Sequence, residues 1–359
     1  MSRAGARAAT LALAILAPLL AFTLVEGCAS SLIALRAALD LAEGPGIRRH
    51  DARLGWVSLP SLSVPEMWGP GGDLHTNARG FRGREEVDDA VPPGRVRVVC
   101  SGDSFAFGDG VGDEQTWCHR LSQLDPRIEA VNLGQSGYGV DQAYLRYRRV
   151  ASELEIDLHV FSFIGPDLTR AGEASFYGFA KPIFRLEDGE LVLSGVPVPE
   201  TGPTLRRVFL GGIEQLRISE FMRRGINKLF GGRRRKADDL FERIGPVVER
   251  IFEAAARVPA ADDGAPGTVF LYLPLRSERE QDGRWRGWVR ESFARTGLPL
   301  VDLTDALRAE PAEEAYEFFI PDGAAAGGHY SRRGNAWAAR ALYAEIRPRI
   351  DARAASLSR

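Results

Sequence analysis

Short apolar runs alternating with helical patterns constrain this chain more than any other feature. Arg95-Val96-Arg97-Val98-Val99, Ile128 to Leu133, Asp157 to Ile164, Thr268 to Leu273 and Leu298 to Leu303 read as five strands. Helical patterns follow: Asp113, as N-cap, through Trp117 to Leu124; Val140 to Leu154; Asp238 to Val258; a helix carrying Trp285 and Trp288; and Arg332 to Arg353. Strands that alternate with helices predict a parallel sheet covered on both faces.

The chemistry of such a sheet lies beyond the C-terminal ends of its strands. Cys100-Ser101-Gly102-Asp103-Ser104-Phe105 leaves the first strand there, and Gly102 permits a sharp turn. By itself the hexapeptide is also an ordinary strand-exit turn, since Gly, Asp and Ser all form turns. The Gly-rich stretch Phe105 to Gly112 is not a phosphate loop, because no Gly-Lys-Ser/Thr follows. A serine nucleophile needs an adjacent base, usually histidine. The chain has five histidines. His50 lies near the N-terminal apolar segment, His119 on the first helix, and His159 inside a strand as a core residue. His75 is a possible cleft residue. His329, in the loop before the terminal helix, is the choice for a base.

Three blocks carry a family resemblance. Gly102-Asp103-Ser104-Phe105 resembles the first block of the SGNH/GDSL hydrolase superfamily. Asn132-Leu133-Gly134-Gln135-Ser136-Gly137-Tyr138-Gly139 resembles the second, and Gly328-His329-Tyr330-Ser331-Arg332-Arg333-Gly334-Asn335 the last. The resemblance implies a three-layer α/β/α, flavodoxin-like fold and serine-dependent ester chemistry without a cofactor or metal. It implies that Ser104 is the nucleophile and His329 the proton carrier. The backbone N–H groups of Ser104 and Gly137 would form the oxyanion hole. Thr76-Asn77-Ala78-Arg79-Gly80-Phe81-Arg82 is similar to an element that precedes the serine block in membrane-anchored bacterial relatives. It implies either that Arg82 or Asn77 borders the cleft, or that the loop is structural with Phe81 as a buried anchor.

Two blocks depart from the family pattern. The family places an Asp two or three residues before the histidine, where this chain has Gly327 and Ala326. Either Asp322 serves, with Ala324 to Gly328 looped out, or a backbone carbonyl orients His329. The oxyanion Asn after the third strand would fall in Ile164-Gly165-Pro166-Asp167-Leu168, where Pro166 takes its place. Proline offers neither an N–H nor a polar side chain.

The remaining features set organisation and compartment. Arg3 and Arg7 precede an uncharged apolar run of 18 residues, Ala8 to Val25. That length is at the lower edge of a membrane span, and the basic flank places the N-terminus inside. Glu26 followed by Arg36 also resembles membrane-anchored bacterial SGNH proteins. The alternative is a cleaved signal peptide, with Gly27-Cys28-Ala29 as its site. Expected segments are an anchor at 1–42, a juxtamembrane segment at 43–94, the core at 95–168 and 268–359, and an insertion at 169–267 that shapes substrate access. The insertion shows a hairpin at Asp188-Gly189, an amphipathic helix from Leu216 to Phe230, and the basic run Arg233 to Lys236, read as a solvated loop. Cys100 and Cys118 read as small buried residues, with a disulfide as the alternative in an oxidising compartment. A formal net charge of −2 gives no sign of nucleic-acid binding. The expectation is a single-pass bacterial inner-membrane protein with its catalytic domain in the periplasm. Its partners would be an acylated small molecule or polysaccharide. The activity would be an esterase, an O-acyltransferase, or binding by a degenerate domain.

Overall fold

Side-chain alternation along five strands builds the layers. The computed structural model describes residues 46–176, 179–200, 233–258, 267–324 and 326–357, with residues 17 and 21. The chain divides into two units, and the one described below comprises Ile47–Phe176, Ala180–Glu200 and Phe241–Arg359. The other, Met1–Gly46, Tyr177–Phe179 and Thr201–Leu240, lies almost wholly outside the described residues.

The strands are β1 (Val96–Ser101), β2 (Ile128–Asn132), β3 (Leu158–Phe163), β4 (Gly267–Tyr272) and β5 (Leu300–Asp302). They pair in the order β5-β4-β3-β1-β2, every pair parallel. That is the flavodoxin-like order, whose direction of winding reverses between β1 and β3. The register Ser101 to Phe161 across those two strands aligns their C-terminal ends at the reversal.

Successive residues of a strand point to opposite faces. Val96, Val98 and Cys100 of β1, Val160 of β3 and Leu271 of β4 belong to one apolar cluster. It also holds Trp117 and Leu121 of α2 (Trp117–Leu124), and Trp337, Leu342 and Ile346 of α7 (Arg332–Leu357). The other face presents Phe161, Phe163 and Phe270 to Phe252 and Phe293, with ring centroids 4.9–5.8 Å apart around Phe252. Phe252 belongs to α5 (Arg233–Ala256) and Phe293 to α6 (Arg286–Thr296). On this face His159 also stacks on Tyr147 of α3 (Val140–Ala151), with ring centroids 3.4 Å apart. Fully burying one such phenylalanine stabilises the fold by about 1.5–3 kcal/mol.

Several boundaries differ from the sequence reading. Asp113 does not cap α2: Asp113–Gln115 forms a 3-10 turn, and the Thr116 hydroxyl accepts the His119 N–H. The Asp113 carboxylate is taken instead by Arg82 and His75. The stretch 169–267 is not wholly an insertion. From Phe241 on, α5 packs as the crossover helix between β3 and β4, and the run at Arg233 begins that helix instead of lying in a loop. The hairpin does form, pairing Ile183–Glu187 with Glu190–Ser194 through Asp188 and Gly189, both at positive φ. Cys100 and Cys118 are joined in a disulfide across Cα atoms 6.2 Å apart, where β1 faces the first turn of α2.

The segment before β1 forms two short antiparallel pairs, Arg48–Asp51 with Gly55–Ser58 and Ser63–Val64 with Leu74–His75. It is tied to the core where the Arg82 N–H donates to the Asn132 carbonyl at 3.0 Å. The expected anchor over Ala8 to Val25, apart from residues 17 and 21, and the expected helix over Leu216 to Phe230 lie outside the described residues. Among the described residues no helix is long and apolar enough to cross a membrane.

Candidate active site

The turn after β1 needs a glycine for two reasons. Gly102 sits at φ +154°, and a Cβ there would come within 2.4 Å of Ser162 Oγ and 2.7 Å of Ser162 O. The chain passes this close to β3 and then starts α1 (Ser104–Phe107). Asp103 caps that helix, its Oδ1 accepting the Phe105 N–H at 2.9 Å. Ser104 therefore opens a helix at the sheet's switch point, and it is 7% exposed.

His329 reaches Ser104 from the far end of the sequence. Its Nε2 lies 2.8 Å from Ser104 Oγ, and its Nδ1 lies 2.9 Å from the carbonyl oxygen of Ala326. A carbonyl can only accept, so Nδ1 carries the proton and Nε2 is the lone-pair nitrogen. The Ser104 hydroxyl then donates to Nε2, in the direction a general base requires. Asp103 Oδ2 also lies 3.2 Å from Ser104 Oγ, but the hydroxyl has a single proton to give. The Phe105 ring packs 4.9 Å from the imidazole and limits its tilt.

The loop that carries His329 explains why Asp322 is not its partner. Phe319 and Tyr330 bridge as antiparallel neighbours, and the Ile320 N–H donates to the His329 carbonyl at 2.8 Å. Residues between them fold back on themselves, with Gly327 N–H on Ala324 O and Gly328 N–H on Ile320 O. Ala326 adopts φ +59°, and its carbonyl reaches the imidazole. Asp322 is left with a 72% exposed side chain that pairs with Arg276. Of the two groups the sequence offered, it is a backbone carbonyl, that of Ala326, that contacts the imidazole, while Asp322 contacts Arg276.

The second block lies against the first. Leu133 N–H donates to Cys100 O at 2.8 Å and Gln135 N–H to Gly102 O at 3.1 Å. Asn132 spans the two blocks, donating to Ala106 O and accepting the Gly134 N–H, both at 2.8 Å. A Cβ on Gly134 would sit 2.1 Å from Phe107 N, so only glycine lets this loop touch α1. Gly137, two residues beyond the Gln135 contact, has φ +84°. Pro166 stands in the first turn of α4 (Gly165–Arg170), where its missing N–H costs nothing, and it is exposed.

No family model and no curated protein matches the chain. The chain is similar to solved structures of G-D-S-L lipolytic proteins and acetylesterases. One is a member of the lipolytic protein G-D-S-L family from Veillonella parvula DSM 2008. It shows 12% identity over 70% of this chain and 97% of that one, with a TM-score of 0.38. The lipase/acylhydrolase from Enterococcus faecalis gives 14% identity, 71% and 97% coverage and 0.38. A carbohydrate acetylesterase family member from Sinorhizobium meliloti gives 12%, 71% and 99%, and 0.36.

Charged groups surround the pair. Asp167 is buried, accepts the Ile164 N–H at 3.0 Å and pairs with Arg170 at 2.5 Å. Burial, then the charge of Asp103, push its carboxyl well above the usual range, against the pull of Arg170. Arg82 is buried with its guanidinium 4.9 Å over the Phe107 ring, donating to Asp113 at 2.6 Å and to Val111 O at 2.8 Å. It braces the helix that carries Ser104. Asn77 holds its own turn, accepting from Arg79 and Phe81, and Phe81 is buried as the sequence suggested. Sequence reasoning passed over Asp109. Its Oδ1 accepts the Ser136 hydroxyl at 2.7 Å, and its only sequence signal is a position five residues after the serine.

Proposed function

We propose that this chain is an SGNH-type serine esterase. The observation that carries the reading is the Ser104–His329 hydrogen bond, with the imidazole held in its basic tautomer by Ala326 O. In this reading Ser104 Oγ attacks an acyl carbonyl carbon while its proton passes to His329 Nε2. The tetrahedral intermediate expels the alcohol, which takes that proton. Water then attacks the acyl-serine, again giving a proton to His329, and the acid leaves as the proton returns to Ser104. The N–H groups of Ser104 and Gly137 hold the oxyanion. The first N–H groups of a helix have no intrahelical acceptor, and Gly137 lies in the loop tied to Gly102.

The reading extends to compartment and substrate. The Cys100–Cys118 disulfide supports an oxidising location, in keeping with a basic flank and apolar run that would anchor the chain with this unit in the periplasm. Acetyl or other acyl esters, on small molecules or on cell-surface polysaccharides, are the proposed substrates. A sugar hydroxyl in place of water would make the enzyme an O-acyltransferase. Pro166 favours one second reading, a domain that binds an acylated glycan without turnover, because this residue offers no donor to an oxyanion.

Aryl acetate hydrolysis separates the readings. Ser104→Ala and His329→Ala should each remove most of the activity, and the double variant little more, since the two act as a unit. Undiminished hydrolysis in Ser104→Ala would reject the assignment. A folded wild type without hydrolysis would favour the binding domain.

A further inference from the structure

The two oxyanion donors of the esterase reading come from different parts of the chain. The Ser104 N–H belongs to α1 and the Gly137 N–H to the loop after β2. Preorganised donors act at full strength only when both already point at the place where the charge develops. Pro166 supplies no third donor, so the hole rests on the spacing of these two.

Arg170 touches the supports of both. It stands on α4 one turn beyond Pro166, and residues four apart share a helix face. Its Nη1 donates at 3.1 Å to the carbonyl of Tyr138, the residue after Gly137. The same nitrogen donates to Asp167 Oδ1 at 2.5 Å and lies 3.5 Å from Asp103 Oδ2. Asp103 caps α1, and that Oδ2 is 3.2 Å from Ser104 Oγ. The guanidinium also lies 4.6 Å over the Phe176 ring, which covers Gly137 so closely that a Cβ there would come within 3.1 Å of two ring carbons. The turn that carries Arg170 is itself fixed. Buried Lys181, paired with Asp141, donates to Arg170 O and Glu173 O, both at 3.0 Å.

We propose that Arg170 is the positioning residue of the oxyanion hole, bracing the Gly137 loop and the capped start of the serine helix against α4; this rests on the esterase reading above. A guanidinium suits the task. Its rigid fork of donors bonds Tyr138 O and Asp167 while its flat face stacks on Phe176. Its charge offsets the repulsion between Asp103 and Asp167, both buried. A lysine at this position would keep the charge and lose the fork and the face.

The test reads aryl acetate kinetics beside amide hydrogen exchange in the full-length protein. In Arg170→Met kcat should fall about tenfold to a hundredfold with KM within about threefold, since a misplaced donor is felt mainly in the transition state. Arg170→Lys should recover part of kcat. The Tyr138 N–H, bonded to Gln135 O at 3.2 Å, should exchange about tenfold faster in Arg170→Met, while the Leu133 N–H on Cys100 O keeps its wild-type rate. Should Arg170→Met fail to fold, Arg170→Lys decides, with kcat lowered and Tyr138 exchange raised by about threefold or more. An unchanged kcat, a loss confined to KM, or an unchanged Tyr138 rate in the folded variant overturns the brace and leaves the esterase reading intact. Equal acceleration of both amides is general destabilisation and overturns it as well. If Tyr138 loosens as expected while wild type neither hydrolyses the ester nor takes a serine-directed phosphonate, the brace stands and the esterase reading falls.

Discussion

Asp322→Asn is the sharpest test of how His329 is held. The residue occupies the place nearest to the family's carboxylate, yet its side chain is 72% exposed and pairs with Arg276, itself 38% exposed. An ion pair this open is worth about 0–1 kcal/mol, and solvent screening keeps it at the low end. Ala326 O, not Asp322, accepts the Nδ1 proton. Neutralising Asp322 should therefore leave kcat/KM for an aryl acetate within about twofold of wild type and stability within about 0.5 kcal/mol. Were Asp322 the orienting carboxylate, the same change would cost on the order of 10⁴ in kcat, or about 5.5 kcal/mol. Initial rates on purified protein, with urea unfolding as the check on folding, separate these outcomes. A loss above roughly a hundredfold in a folded variant would refute the backbone-carbonyl arrangement.

Three further outcomes follow from the packing. Replacing both cysteines of the Cys100–Cys118 bridge by alanine opens a loop with a sequence separation of 18, which should lower the unfolding free energy by about 3 kcal/mol in urea titration. A change under about 0.5 kcal/mol would remove the bridge from the account. His159 is buried against Tyr147 with its Nε2 2.8 Å from Ser101 Oγ, and burial holds its basicity well below the usual histidine value. Above pH 6.5 both folded and unfolded states keep it neutral. Below that only the unfolded state binds the proton, so wild-type stability should fall by about 1.4 kcal/mol per pH unit relative to His159→Gln. Parallel pH curves for the two proteins would contradict this. Finally, Pro166→Asn should raise kcat/KM on a simple acetyl ester by roughly tenfold, since one oxyanion donor is worth about 2.7–4 kcal/mol and the exposed first turn of α4 tolerates the change. An unchanged or lower value would mean that residue 166 does not face the oxyanion.

The sheet was legible because its strands are short apolar runs and each is followed by a helical pattern. Ser104 and His329 were singled out mainly by the resemblance of Gly102–Phe105 and Gly328–Asn335 to blocks of a known family, since Gly102-Asp103-Ser104 alone reads equally as a turn; the fold brings the two side chains within 2.8 Å. The orientation of His329 was legible only as a choice of two. Deciding it requires knowing that Phe319 and Tyr330 pair, which turns Ala326 inward and Asp322 outward. Nothing at a non-glycine residue announces the positive φ of Ala326. The disulfide depended on how α2 is seated against β1, a matter of three-dimensional register that two scattered cysteines do not encode. Phe252 looked like part of an insertion because the strand–helix rhythm breaks before it, although its ring fills the sheet face. Asp109 was hidden for a different reason. Between two glycines it reads as a turn former, and its hydrogen bond from Ser136 exists only once the loop after β2 is folded against the serine loop.

Labelling of the folded, full-length protein with a fluorophosphonate, mapped by mass spectrometry, tests the central claim most directly. The expected result is a single adduct on Ser104 in wild type, and labelling slowed by about a hundredfold or more in His329→Ala, where the base is gone. A folded wild type that takes no label, or an adduct on another residue, would contradict the assignment of Ser104 and His329 as a reacting pair.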